Sequence, residues 1–208
     1  MYPSASYVLA FATCVAVLQA GGGQDSAAPK AAPAATGSVE GQITATPAKW
    51  ARWPVVYVKE VKGDFKPPEK PVVMDQKDLI FVPHVLPVLQ GTTVNFLNSD
   101  SQLHNVFSPD GEKYNLGSWP KGETKPYVFK KTGVYTQLCN VHPEMLGYVV
   151  VLANPFFAVP DEKGHYAIEA IPAGDYTLVI WSEKLKSQEL PLKIEAGRKA
   201  TANFELKK

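Results

Sequence analysis

The sequence predicts an all-β protein, and three observations carry that expectation. Short runs rich in Val, Ile, Thr, Tyr and Phe alternate apolar with polar residues, the period of a half-buried strand. Turns bearing Gly and Pro separate these runs. The pattern breaks at residues 63–71 and again after Leu152, and a chain of 208 residues has room for one or two domains. The composition is that of a globular protein. Formal net charge is +1, from 21 Lys and Arg against 20 Asp and Glu, which gives no argument for nucleic-acid binding. There is no basic run for a membrane surface.

Taken in order, residues 1–20 read as a signal peptide. Tyr7 to Leu18 is an apolar run of twelve residues, short for a membrane span. Ala20 before Gly21 offers a small residue at the cleavage position. This segment has no Lys or Arg before the apolar run, so an uncleaved N-terminal anchor is the rival reading. Residues 21–36, Gly-, Ala- and Pro-rich, are expected to be a disordered linker. Removal of Cys14 with the leader leaves one Cys and excludes an internal disulfide.

Ser38 to Thr44 and Pro54 to Val61 read as strands, with Trp50 and Trp53 as packing residues in the turn between them. Residues 63–71, with three prolines, form a boundary. Pro71 to Gln76 is a strand. Leu79 to Leu89 is apolar but holds Pro83 and Pro87, which confine it to an edge. His84 within it reads as a packing or surface residue. Gln90-Gly91 turns into a strand from Thr92 to Asn98, which leads to a loop bearing His104. Strands follow at Lys125–Phe129 and at Gly133–Leu138, the latter ending at Cys139. After Leu152, residues 161–181 alternate over two strands joined by Pro-Ala-Gly-Asp. Glu189–Ile194 and Ala200–Leu206 supply two more. His165 reads as a turn residue.

The chemistry concentrates in Cys139-Asn-Val-His142-Pro-Glu-Met145, which feeds the β-branched strand Val149–Val151. One thiolate, one imidazole and one thioether recur at three-residue steps, and His104 lies 35 residues upstream. Two His and one Cys in a plane with a weak axial Met is the ligand set of a blue-copper site. Soft thiolate and thioether favour Cu(I), while imidazole serves both oxidation states. Cys-His-His also suits zinc, and the added Met at this spacing favours copper.

The loop Cys139-x-x-His142-Pro-x-Met145-x-Gly147-x-Val-Val-Val resembles the ligand loop of cupredoxins of the amicyanin and plastocyanin kind. Phe81-x-Pro83, Gly91-Thr-Thr-Val-Asn-Phe-Leu-Asn98-x-Asp100 and His104-Asn105-Val106 resemble the other half of that signature. The resemblance spans about residues 71–152. It implies a Greek-key β-sandwich with one copper at an end, cycling between Cu(I) and Cu(II). His104, Cys139, His142 and Met145 would be the metal ligands, and Asn105 would tie the His104 loop to the Cys139 loop. By the same resemblance, His142 would reach redox protein partners through an apolar patch. Residues 71–152 hold 6 Lys and 7 acidic residues, so no strong steering field is expected.

A second resemblance joins the flanks. Gly37-Ser-Val39-Glu-Gly41-Gln-Ile43 and Gly164-x-Tyr166-x-Ile168 through Ile171-Pro172-x-Gly174-x-Tyr176-x-Leu178 are similar to an Ig-like, carboxypeptidase-regulatory-like β-sandwich. Residues 37–66 and 154–208 are therefore expected to form one sandwich with residues 67–153 inserted. In the competing arrangement, 37–66 would add strands to the inserted domain.

The function this implies is single-electron transfer between extracytoplasmic (periplasmic) redox partners. The alternative is copper binding or delivery without productive cycling. No catalytic residue is expected: four His in total are too few for further copper centres, and no carboxylate pair or nucleophile motif stands out.

Overall fold

The computed structural model describes residues 35–50 and 52–208. The proposed leader and nearly all of the linker lie outside these residues. Within them the chain is built of strands, with one turn of 3₁₀ helix at Ala48–Trp50. No helix among the described residues is long and apolar enough to cross a membrane.

One pair of sheets is made by residues 72–152. The first contains β3 (Val72–Lys77), β4 (Ile80–Val82), β6 (Thr93–Asn98) and β9 (Thr124–Val128), in the order β4-β3-β6-β9. The second contains β5 (Val85–Leu89), β7 (His104–Ser108), β8 (Tyr114–Trp119), β10 (Gly133–Leu138) and β11 (Leu146–Leu152), in the order β5-β11-β10-β7-β8. Alternate residues of both sheets fill one core: Met74, Val94 and Phe96 from the first meet Val106, Trp119, Tyr135, Val149 and Val151 from the second. This is a sandwich. As expected for a run interrupted by Pro83 and Pro87, β4 and β5 lie at sheet edges, with Pro83 between them and Pro87 within β5.

The flanks build the other pair. β1 (Thr36–Thr46) pairs antiparallel with β13 (His165–Pro172) and parallel with β16 (Lys199–Thr201) and β17 (Phe204–Lys207). β2 (Val55–Val58) lies between β12 (Phe157–Ala158) and β14 (Gly174–Trp181), and β14 carries β15 (Gln188–Ile194). Val39, Ile43, Ile168, Ile171 and Leu206 from the first sheet pack on Val56, Val58, Leu178, Ile180 and Leu192 from the second. Gly41 lets the chain between β16 and β17 pass close against β1: an added Cβ would run into the Ala202 carbonyl.

The two sandwiches share a joint. Val55 and Tyr57 point away from one core, and Val85, Val150, Leu152 and Tyr148 away from the other, and these meet in a third apolar cluster with Phe157 and Trp181. β2 and β11 are thus covered on both faces, which is why each reads as a continuous apolar run.

Several expectations are corrected. His104 is not in a loop but is the first residue of β7, and β7, β8 and β12 add to the strands expected from the pattern. The stretch Ala200–Leu206 is two strands, because the Ala202 N–H turns to the Glu40 carbonyl and Asn203 Oδ1 accepts the Gln42 N–H. The linker ends before Thr36, whose carbonyl accepts the Gly197 N–H as β1 begins. Trp50 packs on the flanking core, but Trp53 is 42% exposed and lies against His84.

Candidate metal centre

Three elements converge at one end of the sandwich formed by residues 72–152. β7 opens at His104, β10 delivers Cys139 just past its last residue, and the loop between β10 and β11 carries His142 and Met145. The loop stays short because β10 and β11 pair at Leu138 and Leu146. A turn closed by the Met145 N–H on the His142 carbonyl (3.0 Å) shapes it. Gly147 lets it seat closely: a Cβ there would meet Phe81 Cβ at 2.8 Å.

His104 Nδ1 stands 3.0 Å from His142 Nδ1 and 3.8 Å from Cys139 Sγ. The three donor atoms lie within 4.8 Å of one another. Metal–imidazole bonds of ~2.0–2.1 Å and a metal–thiolate bond of ~2.3 Å are long enough for the two measured separations to be spanned by one ion. His104 and Cys139 are buried and His142 is half-buried. Met145 is fully buried in the same core cluster as Cys139. The donor chemistry of thiolate, two imidazoles and a neighbouring thioether fits copper.

The surroundings hold these donors by hydrogen bonds. Asn105 Oδ1 accepts the Asn140 N–H at 2.6 Å, which ties β7 to the residue after Cys139. Asn105 Nδ2 donates to Asn115 Oδ1 (3.3 Å), which also accepts the Gly117 N–H. Asn98, fully buried, donates through Nδ2 to the carbonyls of Gln102 and Trp119 and accepts the Asp100 N–H on Oδ1. His104 Nε2 meets Asp100 Oδ2 at 2.8 Å. Burial pushes the Asp100 carboxyl up, but the Leu79 N–H, His104 and the Asp78 N–H outweigh it and hold the group below its ordinary value. Asn98 and Asp100 stand in the stretch that carries the resemblance, which assigns neither a role. The Asn-x-Asp pair is also an Asx-turn pattern, ending four residues before His104.

His84 and His165 stay outside the cluster. His84 Nε2 bonds Glu183 Oε2 at 2.8 Å, and His165 is exposed with its Nδ1 3.5 Å from Asp161 Oδ2. Sizeable grooves also lie elsewhere. One of about 310 Å³ is lined by Tyr57, Val134, Val150 and Trp181, and another of about 880 Å³ by Ile43, Arg52, Trp53 and Asp161. Around the cluster, Leu103 is 55% exposed and Val141 51%, each next to one of the two histidines.

No family model matches the chain, and no curated protein matches it. Among solved structures it is similar to a Cu-containing nitrite reductase (NirK) from Thermus scotoductus SA-01. Identity is 28% over 45% of this chain and 25% of that one, with a TM-score of 0.39. It is similar to a purple cupredoxin from Nitrosopumilus maritimus at 28% identity, over 38% of this chain and 98% of that one, TM-score 0.36. A point mutant of amicyanin in its reduced Cu(I) form matches at 24% identity, over 46% of this chain and 97% of that one, TM-score 0.38. Each likeness covers less than half of this chain, and the chain spans only a quarter of the nitrite reductase.

Proposed function

We propose that this chain binds one copper ion and passes single electrons between extracytoplasmic redox proteins. The observation that supports the reading is the convergence of His104, Cys139 and His142 from three separate elements, with Met145 buried in the same core cluster as Cys139. When bound, copper supplies a one-electron Cu(II)/Cu(I) couple. Cys139 would contribute the thiolate, His104 and His142 the imidazoles, and Met145 the long axial thioether.

The protein's part is to keep those donors where they are. Buried packing around Cys139 and Met145 and the Asn105–Asn140 bond resist rearrangement when the charge of the site changes. They also exclude water. His142 is the least buried of the three, and the exposed side chains of Val141 and Leu103 beside the histidines form the apolar docking face. An apolar contact without strong charge suits a brief encounter in which release is fast. A site of this kind carries one electron.

The apolar run of residues 7–18, read as a leader, supports export, which would separate the thiolate from cytosolic competitors. The pairing of β1 with β13, β16 and β17 supports a carboxypeptidase-regulatory-like sandwich of residues 37–66 and 154–208, with residues 67–153 inserted. It would act as a scaffold for the redox domain.

Adding Cu(II) to the purified chain tests the central reading. An intense visible thiolate-to-copper band with narrow hyperfine splitting, lost in Cys139→Ala, is expected. A colourless complex, or a spectrum that survives Cys139→Ala, would contradict it.

A further inference from the structure

Asp100 has more hydrogen-bond partners than a surface aspartate needs. Its Oδ1 accepts the Asp78 N–H at 2.7 Å, and its Oδ2 accepts the Leu79 N–H at 3.1 Å. The same Oδ2 lies 2.8 Å from His104 Nε2. Asp78 and Leu79 both adopt left-handed backbone, with φ of 56° and 60°, at the tight turn between β3 and β4. The Asp100 N–H is itself held by Asn98 Oδ1 at 2.9 Å. The carboxylate is therefore fixed from its backbone and from both oxygens.

We infer that Asp100 is a positioning residue for His104: it selects the Nε2–H tautomer and sets a negative charge behind the ring. The inference rests on the copper reading for its second half only. An ionised carboxylate accepts hydrogen bonds and donates none, so the imidazole nitrogen facing it carries the proton. That leaves the Nδ1 lone pair of His104 directed at Cys139 and His142, where a metal donor is needed. A carboxylate bonded behind a metal-binding imidazole also raises the basicity of that imidazole. Here His104 is fully buried and the Asp100 side chain only 12% exposed, so water screens the charge weakly. Added negative charge favours Cu(II) over Cu(I), and the reduction potential falls. A neutral acceptor at position 100 would orient the ring without that bias.

Two measurements separate the parts. Long-range ¹H–¹⁵N NMR of the metal-free wild-type chain should show His104 as the Nε2–H tautomer, and the Nδ1–H tautomer would overturn the inference. This needs no variant, so it decides the orientation even where Asp100→Asn fails to fold. Voltammetry of copper-loaded Asp100→Asn should show the Cu(II)-over-Cu(I) preference reduced and the potential raised. For a one-electron couple each tenfold loss of that preference reads as a rise of about 59 mV. An unchanged potential in a folded Asp100→Asn would overturn the electrostatic half. A wild-type chain with the expected tautomer but no blue-copper spectrum would contradict the copper reading and still support the hold of Asp100 on His104.

Discussion

Two histidines in this chain each meet a carboxylate at 2.8 Å, and they do different work. His104 bonds Asp100, four residues away, and its other nitrogen faces Cys139 and His142. His84 bonds Glu183, 99 residues away, and its ring lies against Trp53 and Tyr148 with centroids at 4.6 and 5.7 Å. The first pair holds a ring against Cys139 and His142, whereas the second joins the sandwich of residues 72–152 to the flanking one. A histidine–carboxylate contact is therefore no mark of a metal site by itself. The mark is a set of soft donors arriving from separate elements at the free nitrogen.

The largest expected difference comes from removing each ring. His104→Ala should weaken copper binding by more than ~100-fold, beyond the loss seen when only a supporting contact is removed. His84→Ala should leave copper affinity within about twofold while costing roughly 1 kcal/mol of stability, the scale of an ion pair of this kind. Competition with a chromophoric chelator and urea unfolding measure the two. Equal losses of affinity would erase the distinction.

Next in size is the joint itself. Trp181 lies 5.4 Å from Tyr148 between ring centroids, within the cluster shared by both sandwiches. Trp181→Ala should cost about 2–3 kcal/mol, less than truncation of a fully buried Trp, and should split one calorimetric transition into two. A single transition at an unchanged temperature would show that the joint does not couple the sandwiches.

Smaller effects are set by pH. Burial pushes Glu183 up, but Lys184 and His84 outweigh it and hold the carboxyl below its ordinary value. Its ionised form thus contributes stability above the unfolded value of about 4.3, and the contribution fades as pH falls through the lower folded value. Glu183→Gln should flatten that acid limb of the urea midpoint by no more than ~1 kcal/mol. A variant that keeps the full acid limb would remove Glu183 from the account. In the flanking sandwich, burial pushes the Tyr166 phenol up to about 12, and it donates to the Ala202 carbonyl at 2.7 Å. Its stabilisation is complete below the unfolded value of about 10 and is lost as pH rises through about 12. Relative to Tyr166→Phe, the wild type should lose stability across that alkaline window.

The Cys139–Met145 donors are legible in the sequence because three of them share one short loop, where spacing alone shows them. Of their supports, Asn105 enters through the resemblance alone, and Asp100 is given no role there. Asp100 reaches the N–H groups of Asp78 and Leu79 across more than twenty residues, and a carboxylate-to-backbone contact leaves no periodic trace. β7 reads as a loop because its first two residues, His104 and Asn105, are polar, yet both are buried for the site. β8 escapes the pattern because Asn115, Gly117 and Ser118 dilute it, and only Trp119 is fully buried, with Tyr114 and Leu116 packed against the core at its edge. β1 and β13 are legible as alternating strands. The parallel pairing of β1 with β16 and β17 is not, because the bend at Ala202 and Asn203 depends on acceptors and donors of β1.

Electron transfer stands on reversible one-electron cycling at the cluster of His104, Cys139 and His142. Cyclic voltammetry of the copper-loaded chain should show one reversible one-electron wave, with copper retained in both oxidation states over repeated cycles. Copper lost on reduction, or no wave from a chain that binds the metal, would contradict electron transfer and leave a copper-handling protein.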